Sequence, residues 1–151
     1  MTSTRQCHRW IARGVACAVA CGTVASTVFL SATASAQRPI TVELNKLEDR
    51  EDACRASFVI GNGGERFDIF VLDLIVFDSD QVIAKHLAVN AAPLRSDKTS
   101  VKMFDIVGIG CADIGRILLN DVSKCESRNG VRLDCIDLVA ISSRAASDFV
   151  K

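Results

Sequence analysis

The segment Phe67-Asp68-Ile69-Phe70-Val71-Leu72-Asp73-Leu74-Ile75-Val76-Phe77-Asp78 most constrains what this chain can become. It is the longest apolar run outside the N-terminus, and its residues are mostly β-branched or aromatic. Apolar side chains occupy nearly every position, so no polar stripe at the 3.6-residue helical period is left. A strand sorts the run by parity: Phe70, Leu72, Leu74 and Val76 on one face, Val71, Asp73, Ile75 and Phe77 on the other. One face is continuously apolar and the other mixed, which suits a central strand packed hard on one side. The run closes on Asp78-Ser79-Asp80-Gln81, and Val82 to Val89 follows as a second apolar segment. Turn formers between two such runs predict a hairpin, with Asp78 and Asp80 as side-chain caps of its turn.

The N-terminus has a different character. Arg5, Arg9 and Arg13 precede an apolar stretch from Gly14 to about Leu30, and Ala34-Ser35-Ala36 places small residues where a signal peptidase reads. Residues 1–36 are therefore expected to be a signal peptide, cleaved before Gln37, which sends the chain to the periplasm. A retained membrane anchor is the alternative, but Cys21-Gly22-Thr23 and Ser26-Thr27 interrupt the apolar run. Ala18-Val19-Ala20-Cys21 loosely resembles a lipoprotein site, although it falls in the middle of that run. Cleavage removes three of the 18 basic residues, leaving 15 against 18 acidic, a formal charge of −3. The remaining basic residues are scattered singly and without stacking aromatics, a pattern that argues against nucleic-acid binding. What is left is one domain's worth of chain, with no membrane span expected after cleavage.

Four cysteines follow Gln37: Cys54, Cys111, Cys125 and Cys135. An even number in an exported chain predicts two disulfides. Three pairings are open. Cys125 and Cys135 flank the tight-turn signal Arg128-Asn129-Gly130, which favours joining them and leaving Cys54 for Cys111. No Cys-x-x-Cys is present for redox work, and the irregular spacings do not suit a four-cysteine zinc site.

Elsewhere period-2 alternation recurs between turn formers. Ile40 to Leu44 reads as a strand and Leu47 to Asp52 as a charged connection. Cys54, Ala56, Phe58 and Ile60 share a face, and Gly61-Asn62-Gly63-Gly64 is expected to be a hairpin turn into the Phe67 strand. With no helix and no Lys-Ser/Thr behind it, that glycine cluster lacks the context of a phosphate-cradling loop. Pro93 marks a loop at Ala91 to Lys98, and Thr99 to Val107 alternates again. After a single turn at Ala112 to Gly115 come a buried run at Arg116 to Val122 and a last strand at Leu133 to Ile141. The expected fold is all-β: an antiparallel immunoglobulin-like sandwich of about seven strands over residues 37–141, with a flexible tail at 142–151. A partly open barrel is the alternative.

Chemistry is scarce. His86 is the single histidine after Gln37, placed on the exposed face of a strand. Asp78-Ser79-Asp80 lacks the further oxygen ligands and the distal Glu of an EF-hand loop. Met103 and His86 are too few for a copper carrier. No catalytic residue, metal ligand or cofactor is therefore assigned. Two functions are carried forward: a non-catalytic periplasmic module that binds an envelope protein or ligand, and a small periplasmic enzyme with a loop-borne site near His86. A cleft holding His86 beside a carboxylate favours the enzyme. An exposed apolar patch, for instance at Val71, Ile75 and Phe77, favours the module.

The signal-like N-terminus, Thr41 to Leu47, Ala53-Cys54-Arg55, Leu72 to Asp78 and Cys111 to Val122 together resemble a family of short exported alphaproteobacterial proteins, the signal-sequence-domain proteins. The strand ending in Phe77-Asp78 is also similar to extracytoplasmic β-sandwiches of the Phe-x-Leu-Tyr-Asp type. It has Phe77 where that pattern has Tyr, and Gln81 where it favours Gly. Neither resemblance implies an activity or a set of site residues.

Overall fold

A computed structural model describes residues 38–151. The expected signal peptide and its cleavage point lie outside those residues. Nine strands are present among the described residues: β1 Ile40–Arg50, β2 Ala53–Asn62, β3 Phe67–Asp78, β4 Ile83–Asn90, β5 Lys98–Val107, β6 Ile114–Ser127, β7 Gly130–Val131, β8 Val139–Ser143 and β9 Asp148–Val150. They form two sheets. The first has the order β5-β2-β1-β8; the second runs β4-β3-β6-β7, with β9 pairing β6 as well. The chain is thus an all-β, sandwich-like domain and not a closed barrel.

The core lies between the sheets and is set by strand parity. From β3 it takes Phe70, Leu72, Leu74 and Val76, each at most 1% exposed. Cys54, Ala56, Phe58 and Ile60 of β2 and Val42 and Leu44 of β1 face them from the opposite sheet. Phe58 is the aromatic hub, stacked on Phe104 with centroids 5.5 Å apart and edge-on to Phe149 at 5.3 Å. Phe67 is also buried, although its parity differs from that of Phe70. The register steps from Phe67↔Ser127 to Ile69↔Glu126, so Asp68 is an extra residue that restores the alternation.

Strand β6 carries three more such insertions, at Gly115, Asn120 and Ser123. At Gly115 the bulge brings two backbones together, and a Cβ there would overlap the Asp78 carbonyl oxygen. The turn from β3 to β4 forms, with Asp78 but not Asp80 as its side-chain cap among the described residues. Asp78 Oδ1 accepts the Asp80 and Val82 amides at 3.0 and 2.9 Å, while Gln81 takes φ 64°.

Both disulfides are present: Cys54–Cys111 and Cys125–Cys135. The second closes the β6–β7 hairpin around Arg128-Asn129, where Gly130 has φ 112°. The first fastens the start of β2 to a 3₁₀ turn at Cys111–Asp113, whose first amide also donates to Asp49 Oδ1 at 2.9 Å.

Several expectations are corrected. Gly61 to Gly64 is not a hairpin turn, because β2 and β3 belong to different sheets. The chain turns a corner there around Asn62, which is 2% exposed and fully engaged. Its amide donates to Glu65 O at 2.7 Å and Arg95 O at 3.3 Å, and its Oδ1 accepts Gly64 N at 3.0 Å. Leu47 to Arg50 is not a connection either. Asn45 bulges β1, and the charged residues continue as strand opposite Ala53 to Ala56. Leu133 to Ile141 becomes a 3₁₀ turn at Cys135–Leu138 and then β8, which pairs in parallel with β1. Residues 142–151 are no flexible tail. Strand β9 pairs in parallel with β6, and Phe149 is buried in the core at 6% exposure. The domain thus extends past 141, because that ring packs edge-on against Phe58 in the core.

Candidate functional site

The two sheets leave one side of the sandwich open. There β4 and β5, consecutive in the chain, are edge strands of opposite sheets. A groove of about 440 Å³ runs between them, lined by His86 to Asn90 on β4 and Lys102 to Asp105 on β5.

Strand β5 shapes this side. It pairs with β2 over ten consecutive positions without a register break, from Ala53↔Val107 to Asn62↔Lys98. Both of its faces carry apolar residues, so alternation alone left open which one packs inward. Ile106 is buried and Phe104 stacks on Phe58, and this turns Val101, Met103 and Val107 to solvent at 58–64% exposure. The interruption in that outward row is Asp105, which holds Arg55 across the strand pair at 2.7 and 2.9 Å. That hydrogen bond keeps the Asp105 carboxyl below its ordinary range. Lys102 points inward and donates to Ala92 O at 2.9 Å.

His86 lies in mid-strand on the outer face of β4 and not in a loop. Its Nε2 is 2.5 Å from Asp73 Oδ1, and Asn120 donates to Asp73 Oδ2 at 2.8 Å. The bulge in β6 is what aims Asn120: Asp73 pairs with Asp121 and Leu74 with Leu119, leaving Asn120 between them. The Asn120 hydrogen bond, aided by His86 and opposed by partial burial, lowers the Asp73 pKa. A His–Asp pair of this kind orients an imidazole, but acyl transfer also needs a nucleophile beside the ring. No Ser, Thr or Cys lines the groove. The four cysteines among the described residues are held in disulfides.

Nor is the expected patch at Val71, Ile75 and Phe77 an open apolar surface. All three are only partly exposed, and the Arg116 guanidinium lies 4.3 Å above the Phe77 ring. The apolar row of β5 was missed as a site because exposure cannot be read from alternation when both parities are apolar. Asn120 was missed because its role depends on a bulge. No protein-family model, curated protein or solved structure matches the chain.

Proposed function

We propose that this chain is an exported, non-catalytic interaction module that binds an extended segment of an envelope protein along β5. The carrying observation is the edge itself. A ten-residue strand, regular throughout and unpaired on one side among the described residues, presents Val101, Met103 and Val107 to solvent. Long regular edges are ordinarily blunted by bulges, by proline or by charge, and on β5 the charges are Lys98, Lys102 and Asp105. Strand addition uses the free backbone groups for affinity and alternate side chains for selectivity. A partner strand with apolar residues at every second position matches the outward row.

Export is supported by Arg5, Arg9 and Arg13, the following apolar run, Ala34-Ser35-Ala36 and the two disulfides. No helix among the described residues is long and apolar enough to cross a membrane. An immunoglobulin-like relationship is supported by the strand order, since β5-β2-β1 stands against β4-β3-β6.

The test uses the oxidised full chain as bait for envelope extract, beside the variants Val101→Glu and Met103→Glu. Both sites are exposed, so melting temperatures should stay unchanged while capture is lost. Equal capture by the variants, or none by the parent, would refute the edge. The rival hydrolase reading draws on His86 and Asp73. It requires ester or amide turnover that disappears in His86→Gln.

A further inference from the structure

The end of the sandwich where β2, β5 and β7 begin or end carries a second feature, independent of the β5 edge. Three loops meet there around a pocket of about 460 Å³ lined by Glu65, Arg66, Arg95, Ser96, Arg128 and Asn129. Three arginines from three separate loops thus line one space, in a domain whose described residues carry 15 basic and 18 acidic side chains. We propose that this pocket binds a phosphoryl group.

The local charges are arranged for an anion. Glu65, the single carboxylate of the lining, is already committed: Oε1 to Arg132 at 3.1 Å and Oε2 to the Asn129 amide at 3.0 Å. Arg66 shares its charge with Asp68 at 2.6 Å. Arg95 and Arg128 make no ion pair among the described residues. Two arginines without an ion pair among the described residues therefore line a pocket whose own carboxylate is engaged by Asn129 and by Arg132, which Asp134 shares. Planar forks carried on separate loops suit a tetrahedral oxyanion with several acceptor oxygens better than a flat carboxylate.

The loops are also fixed in advance. Asn62 bonds Glu65 O and Arg95 O, tying the first loop to the second. Phe67 and Leu94 exchange backbone hydrogen bonds at 2.9 Å each way. Asn129 joins the third loop to Glu65, and the Cys125–Cys135 disulfide closes the hairpin behind it. Little backbone ordering is left to oppose binding, which is the gain of preorganised loops.

The source of the group is free phosphate or a phospholipid headgroup, and titration separates them. The oxidised full chain is titrated with inorganic phosphate at constant ionic strength, then with phosphatidylglycerol vesicles against phosphatidylcholine vesicles. The comparison is the double variant Arg95→Ala/Arg128→Ala, with Arg50→Ala/Arg144→Ala removing equal charge elsewhere. Both pocket residues are exposed, and unchanged melting temperatures certify the fold. The expected result is saturable binding that weakens at least tenfold in the pocket variant and survives in the control. Response to phosphate identifies a free ligand; response to phosphatidylglycerol alone identifies a headgroup. Binding that is equal in both variants, absent in both titrations, or displaced equally well by acetate would overturn the proposal.

Discussion

Leu74 and Asp73 are neighbours in the chain and occupy opposite environments. Leu74 is fully buried between the sheets, so Leu74→Ala should destabilise the domain by about 2–5 kcal/mol, the range for large-to-small core changes. Asp73→Ala removes hydrogen bonds at a partly exposed site and should cost about 1 kcal/mol. Denaturant titrations that gave equal costs would contradict the assigned faces. Gly115→Ala meets the Asp78 carbonyl and should cost about 1–3 kcal/mol by the same measurement, as overpacking does. At this scale the period-2 pattern revealed which side chains share a face. It did not reveal the bulges, which depend on how a strand meets its neighbour. Asn62 shows the limit well: beside two glycines it reads as a turn former, yet its acceptors on Leu94 and Arg95 lie 32 and 33 residues away.

Elements differ in how plainly their residues announce them. Strand β3 was legible because its core face is apolar without a gap, and the β6–β7 hairpin because Asn129-Gly130 satisfies a turn that needs positive φ. Strand β5 was legible as a strand but not in orientation, and the candidate edge went unseen with it. Strand β9 carries one strong signal, Phe149, among small and polar neighbours, and its partner residues Arg116 to Leu118 are distant in sequence. Phe149→Ala should therefore cost about 3–5 kcal/mol despite its place near the C-terminus, as calorimetry or denaturation would show. The disulfides rank by the span they close. Cys54–Cys111 separates 57 positions and Cys125–Cys135 separates 10, which in the chain-entropy model correspond to about 4 and 3 kcal/mol. Replacing the first pair by alanine should lower the melting temperature more than replacing the second.

For the molecule as a whole, acid is the expected weakness. Hydrogen bonds hold Glu43, Glu48, Glu65, Asp73, Asp105 and Asp134 below their ordinary carboxylate values. A lowered folded-state pKa means that the unfolded chain binds protons first. The stability from these groups is present above the ordinary carboxylate pKa and is lost as pH falls through the lowered one. Melting temperature should be flat near neutrality and drop below about pH 4. A melting temperature that held or rose there would contradict the assigned bonds. One further consequence follows from the ring of Phe149 lying against Phe58. Phe149 belongs to the sheet of β6 and Phe58 to that of β2, so peeling β9 from its partner would open the seam between the sheets while both disulfides and every long strand stayed in place.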